Sequence, residues 1–240
     1  MRLDVYLAQS GLARSRSEAA NLIKLGAVFV GGAKADAPSM SINPDNLPEI
    51  EITSEIYASV GALKLKAALD YWHPEIADKI ALDAGASTGG FTDLLLKRGA
   101  KRVYAVDIGQ GLLRDELRQD NRVKAIENTN IRNMTLETIS EKCDIITVDL
   151  SFISLKLVLD NLKQFLAEDG MLIALVKPQF ELGASALNKQ GIVKDEQLAL
   201  SAVEDVKSFA EQCGYKTAGY IPAPRDFQKK NREYLLNLTL

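Results

Sequence analysis

Short apolar runs alternate with helical periods from residue 61 to residue 240, which predicts an α/β fold built on a doubly wound, mainly parallel sheet. A second observation puts a small α+β module in front of it. Residues 1–35 carry five cations (Arg2, Arg14, Arg16, Lys24, Lys34) against two anions (Asp4, Glu18), a local charge of +3 in a chain whose total is −3. Residues 36–53 then carry four anions and no cation, and Pro38, Pro44 and Pro48 break any helix there. The expected organisation is a module over 1–53, a linker over 54–60 and a second domain over 61–240. A length of 240 residues suits one to two domains.

Within the module, Leu3 to Gln9 reads as a short helix. Ser15-Arg16-Ser17-Glu18 has the capping-box form, and Ala19, Ala20, Leu22 and Ile23 give the face of the helix that follows it. Gly26 sits where a glycine ends a helix. Val28 to Val30 running into Gly31-Gly32 predicts a strand and a turn. Beyond residue 61, Leu63 to Trp72 reads as a helix. Strands are expected at Lys79 to Asp83, Val103 to Asp107, Val123 to Glu127, Asp144 to Leu150 and Met171 to Lys177. Helices are expected at Phe91 to Arg98 and Gln197 to Cys213, and two closing strands at Tyr215 to Ile221 and Glu233 to Leu240.

Hydrophobic residues make up 47% and charged residues 25%, an ordinary globular balance. Cys143, Cys213 and the single histidine, His73, stand in no metal-ligand or disulfide spacing. No apolar run approaches the roughly 18 residues of a membrane helix, and the first residues lack the apolar core of a signal peptide. A metal-free cytoplasmic protein is expected.

Four motifs carry chemistry. The first, Asp83-Ala84-Gly85-Ala86-Ser87-Thr88-Gly89-Gly90-Phe91, takes a strand through a glycine loop into a helix, where the backbone can approach a ligand closely. Asp107 ends the next strand, where a carboxylate can bind the two hydroxyls of a ribose. The loop spells neither pyrophosphate-binding fingerprint, G-x-G-x-x-G or G-x-x-x-x-G-K-[ST], which favours a nucleoside cofactor without phosphates, such as S-adenosylmethionine. The second motif, Asp149-Leu150-Ser151-Phe152, ends the fourth strand and puts Asp149 at the cofactor's reactive end; the same Asp could instead cap a helix. The third, Val176-Lys177-Pro178-Gln179-Phe180, ends the fifth strand in a lysine. Leaving a buried strand favours its neutral amine, although it could equally reach to solvent. The fourth, residues 225–233, concentrates Arg225, Lys229, Lys230 and Arg232, either a solvated loop or an RNA-facing rim.

Residues 2–32 (RLDVYLAQSGLARSRSEAANLIKLGAVFVGG) resemble the RNA-binding domain named after ribosomal protein S4. Residues 57–240 resemble an FtsJ-like methyltransferase, most specifically in LDAGASTGGFTDLLLKRGA, VDLSFISL, VKPQFE and NREYLL. The combination resembles the haemolysin A (TlyA) family of ribosomal RNA ribose methyltransferases. That resemblance implies an S-adenosylmethionine-dependent 2′-O-methyltransferase with a Rossmann-like catalytic domain, acting on ribosomal RNA or ribosomal subunits, with cytidine as the target. It implies a catalytic tetrad of Lys64, Asp149, Lys177 and Glu233, with Lys177 as general base. The expected cofactor residues are Asp83, Gly85, Ala86, Ser87, Thr88, Gly89, Gly90, Phe91, Asp107 and Asp149. The expected RNA-binding residues are Arg2, Arg14, Arg16, Lys24, Arg225, Lys229, Lys230 and Arg232. One departure is visible: Val60 and Ala62 stand where the family has Arg and Gly. Two other readings stay open on the residues, an amino-group methyltransferase suggested by Asp149-Leu150-Ser151-Phe152 and a non-catalytic RNA-binding or assembly factor.

Overall fold

The structure of the protein is a computed structural model that describes residues 1–13, 15–24, 26–52, 57–224 and 231–240. Contacts divide the chain into two compact units, Met1–Leu63 and Lys64–Leu240.

In the first unit, α1 (Leu3–Gln9) and α2 (Arg16–Lys24) bury Leu3 and Leu7, and Ala19, Leu22 and Ile23, against one another's side of a small core. These spacings put the apolar side chains of each helix on one face. As the capping box predicts, the Glu18 amide donates to Ser15 Oγ at 3.1 Å. Gly26 follows α2 with φ +71°, a conformation a glycine adopts without strain. β1 (Val28–Val30) is the middle of a three-stranded antiparallel sheet, between β2 (Ala33–Lys34) and β3 (Ile50–Ile52). β3 is a departure from expectation, because residues 36–53 read as a proline-broken acidic connection. Only Ile50 and Ile52 signal the strand, and the acids around them hide that period of two. The same segment also returns along the amino terminus, where the Leu3 amide donates to the Met40 carbonyl at 2.8 Å.

The second unit follows the predicted alternation. α3 (Ala62–Trp72) leads into β4 (Ile80–Ala84), α4 (Gly90–Lys97), β5 (Arg102–Val106), α5 (Asp115–Arg118), β6 (Val123–Ile126) and β7 (Cys143–Val148). Then come α6 (Leu159–Leu162), β8 (Leu166–Val176), α7 (Pro178–Glu181), α8 (Glu196–Gln212), β9 (Lys216–Pro222) and β10 (Tyr234–Thr239). The sheet runs β6-β5-β4-β7-β8-β10-β9. Strands β4 to β8 pair in parallel, while β10 is antiparallel to both β8 and β9. The central strands are nearly continuous runs of buried residues, as a sheet covered on both faces requires. α8 starts on an Asp195 cap, whose carboxylate accepts from the Leu198 amide at 2.8 Å. It lays Ala199, Val203, Val206 and Ala210, one helical stripe, into the core that contains Leu172, Ala174, Leu236 and Leu238.

The order of the strands reverses at β4, with β5 on one side and β7 on the other. At such a switch point the connections leave in opposite directions and open a crevice beyond the carboxyl ends. Directly beneath it lies Asp83, fully buried in β4. Its carboxyl accepts from Thr92 Oγ1 of α4 at 2.7 Å and Thr147 Oγ1 of β7 at 3.0 Å. Burial pushes this carboxyl up to about 6, outweighing the two threonine bonds, and the charge of Asp149 adds to the rise. The folded state therefore binds this proton more tightly than the unfolded chain does, and stability is lost as pH rises from about 4 towards 6. Asp83→Asn removes that penalty. Urea melts of both proteins should show the variant gaining on the wild type between pH 4 and 7; a gap that stays constant with pH would show that Asp83 does not titrate there.

Candidate active site

Five strand ends bring one edge of the sheet together. In sheet order, Asp107 follows β5, Gly85 follows β4, Asp149 follows β7, Lys177 follows β8, and Glu233 precedes β10. The register of β8 against β10 pairs Val176 with Tyr234, and one step further sets Lys177 opposite Glu233.

Between the ends of β5 and β7 lies a cavity of about 510 Å³, lined by Gly85, Ser87, Asp107, Asp149, Ser151 and Phe152 among others. That is an ordinary volume for a small-molecule site. Gly85 makes it possible. Its φ is +89°, and a Cβ there would lie 2.5 Å from the Asp149 carbonyl oxygen. Asp107 is held by two backbone amides, accepting from Ser87 N at 2.8 Å and Gly109 N at 2.7 Å. A carboxylate has about four acceptor positions, so capacity is left for a ligand's hydroxyls. The Ser87 bond also holds that residue in a left-handed conformation (φ 49°). Ile108, Leu112 and Ile131 supply an apolar wall, and Thr129 and Asn130 follow β6. Among the described residues no lysine or arginine lines the cavity, and the two acids that do are Asp107 and Asp149. This donor set suits a cation carrying a ribose diol and does not suit a pyrophosphate. The ends of β5 and β7 are two strand spacings apart, about 10 Å, which matches a ligand with a diol at one end and a positive charge at the other.

At the β7–β8 side, Lys177 is 8% exposed. Its Nζ stands 2.6 Å from Asp149 Oδ1 and donates a hydrogen bond to Ser151 Oγ at 2.8 Å. Lys64, on α3, forms an ion pair with Glu233 at 2.5 Å. The loop after β7 and the turn after β8 are fastened to each other beyond this point. Phe152 is 91% exposed at φ 64°, and its ring lies 5.1 Å from that of Phe180. Glu181 accepts from Ser154 Oγ at 2.5 Å and from the Leu155 amide at 2.8 Å; burial raises its carboxyl above the usual range.

The FtsJ-like methyltransferase family matches residues 57–240, and the S4 domain matches residues 1–46. The chain belongs to the FtsJ-like methyltransferase family, in its haemolysin A (TlyA) branch. It is 41% identical over 236 residues to the 16S/23S rRNA (cytidine-2′-O)-methyltransferase TlyA of Mycobacterium tuberculosis, covering 98% of this chain and 88% of the relative. It is 37% identical to Hemolysin A of Brachyspira hyodysenteriae over the whole of both chains. A solved structure from Streptococcus thermophilus that carries a hemolysin label superposes with a TM-score of 0.73 at 37% identity, covering 99% of this chain and 87% of that one. FtsJ-like methyltransferases use S-adenosylmethionine, and the acidic, phosphate-excluding cavity fits it. Among the described residues no helix is long and apolar enough to cross a membrane.

The structure sorts the residues expected in this FtsJ-like site. Gly85, Ser87, Asp107 and Asp149 line the cavity. Asp83, Ala86, Thr88, Gly89, Gly90 and Phe91 are not among its lining residues. Asp83 is spent beneath the loop, Gly89 is the left-handed N-cap of α4 (φ +94°), and Gly90 and Phe91 are buried in its first turn. The helix that the glycine loop launches packs on the sheet. Sequence reasoning missed Ile108, Leu112, Thr129, Asn130 and Ile131, although the last three follow β6 at the same edge. It quoted Ser151 without a role.

Of the expected RNA-binding residues, Arg14, Arg225, Lys229 and Lys230 lie outside the described residues. Arg2 and Arg16 are on the surface of the first unit but are not independent. Both donate to Asp4, a buried carboxylate, at 2.9 and 3.0 Å. Arg2 first, and Arg16 after it, hold the Asp4 carboxyl well below the usual range. Lys24 is exposed at the end of α2. Arg232 pairs with Glu196 at the start of α8.

Asp107→Ala is expected to weaken S-adenosylmethionine binding by about 1.5–3 kcal/mol, the usual worth of bonds to a charged group, and to free the Ser87 amide as well. Calorimetry on the free protein measures this; unchanged affinity in a folded variant would remove Asp107 from the site.

Proposed function

We propose that this chain methylates a ribose 2′-hydroxyl of ribosomal RNA in the cytoplasm, with a cytidine as target and Lys177 as general base. The observation that carries this reading is the pairing at the cavity's β7–β8 side, where Lys177 meets Asp149 and, one step along the register, Glu233 with its partner Lys64. The name of the Mycobacterium tuberculosis relative, an rRNA (cytidine-2′-O)-methyltransferase, supports the substrate. The S4 match supports an RNA partner.

Asp107 and the Gly85 turn would hold the nucleoside part of S-adenosylmethionine, and Asp149 would face its charged end. When bound, the cofactor supplies an electrophilic methyl group on a sulfonium. A ribose hydroxyl is a weak acid and a poor nucleophile until its proton is removed. Neutral Lys177 Nζ takes that proton as the hydroxyl oxygen forms its new bond, and becomes an ammonium beside Asp149, whose carboxylate offsets the new charge. Glu233 and Lys64 neutralise each other, so the Lys177 side of the site gains no net charge from them. Holding the two reactants in line contributes on the order of 7–11 kcal/mol.

Three experiments test this reading. Lys177→Ala should lower single-turnover methyl transfer by about 10²–10⁴-fold, the usual contribution of a general base, with cofactor and RNA affinity little changed. Lys177→Arg should be as slow, since a guanidinium cannot accept the proton; an active arginine variant would overturn the base assignment. Mapping the labelled methyl group to a ribose, a base or neither distinguishes this activity from amino-group methylation and from RNA binding alone. Removal of residues 1–53 should leave cofactor binding intact while weakening rRNA binding and flattening its salt dependence. A truncated protein that binds rRNA normally would show that affinity comes from the other unit.

A further inference from the structure

We propose that Ser151 is a positioning residue that aims the Lys177 amine at the substrate hydroxyl. The inference rests on the reading of Lys177 as general base. Lys177 Nζ has two close polar neighbours, and they act differently. Asp149 Oδ1 is the nearer, at 2.6 Å, yet this buried oxygen makes no aligned hydrogen bond. Ser151 Oγ, at 2.8 Å, accepts a hydrogen bond of proper geometry. The carboxylate thus supplies charge, and the hydroxyl supplies direction.

Direction matters because a neutral amine is a base only along its lone pair. The nitrogen is tetrahedral, so fixing one N–H along the line to Ser151 stops rotation about the Cε–Nζ bond and leaves two positions. The Asp149 carboxylate, 2.6 Å from Nζ, repels a lone pair in whichever of them is nearer to it. The lone pair is left the other position. Without Ser151 the amine can turn freely, and the fraction of time it spends aligned with the ribose proton falls.

The fold supports Ser151 itself from both sides. Phe152 packs on Phe180, and Glu181 holds Ser154 and the Leu155 amide, so the loop carrying Ser151 is fastened to the turn carrying Lys177. The ring of Phe180 also lies 5.9 Å from Lys177 Nζ, a contact that holds the amine without fixing its rotation.

Single-turnover methyl transfer to rRNA by the full chain, at saturating RNA and labelled S-adenosylmethionine, tests the proposal. Ser151→Ala should slow the step by about 10–100-fold, the cost of a misdirected reacting group. The dissociation constant for RNA should stay within about twofold of wild type, because the effect appears only in the transition state. Ser151→Thr keeps the hydroxyl and should recover most of the rate. An alanine variant running at more than about half the wild-type rate, or a threonine variant as slow as alanine, would overturn the proposal. Lys177→Ala and Lys177→Arg are measured alongside. Two inactive lysine variants with a fast Ser151→Ala remove the aiming role alone, whereas an active Lys177→Arg removes the base and the aim together.

Discussion

Strand polarity is the constraint on which the site depends. A parallel sheet delivers the carboxyl ends of its strands to one edge, so Asp107, Gly85, Asp149 and Lys177 each come directly after a strand. Glu233 comes before one, and it reaches the same edge only because β10 runs antiparallel to β8. Had β10 been parallel, its residue at that edge would have been Leu240 and Glu233 would lie at the far end. The reversed strand is thus what lets a residue near the end of the chain stand opposite Lys177, with Lys64 of α3 closing on it from outside the sheet.

Beneath that edge the sheet carries an electrostatic cost. Asp83 has no access to water and no cation within hydrogen-bonding reach among its bonded partners, which are two threonines. In exchange, one side chain links β4 to the helix that follows it and to the neighbouring strand, directly under the cavity. Above it, Gly85 allows the loop to touch the Asp149 backbone, and Ser87 sits in a conformation that ordinary residues avoid. A rigid underside and a strained upper layer are a common pairing at binding sites, where the strain persists because the surroundings over-determine it.

Most of this was legible in the sequence, for identifiable reasons. The glycine loop and Asp107 are punctuation at strand ends, and α8 announces itself through a helical stripe of Ala199, Val203, Val206 and Ala210. The pattern that revealed them is local. What stayed hidden is set by tertiary packing. Whether Gly90 and Phe91 face a ligand or the core depends on how α4 settles on the sheet, and the spelling of the loop is the same either way. Ile108 and Leu112 read as stray apolar residues until the cavity gives them a purpose. β3 was lost because two isoleucines among acids look like a connection until β1 pairs with them. Ser151 was visible as a letter in a motif, but its partner lies 26 residues away on another strand.

Asp4 changes how the positive charge of the first unit is to be counted. A cation bound for a polyanion normally arrives with a small anion of its own, and the release of ions into the bulk drives much of such association. Arg2 and Arg16 already share a built-in anion that cannot leave. Their guanidinium groups are pre-aligned in space, yet together they count as one mobile charge. A polyanion meeting the first unit would therefore find more fixed geometry and fewer exchangeable ions at these two arginines than the cation count implies.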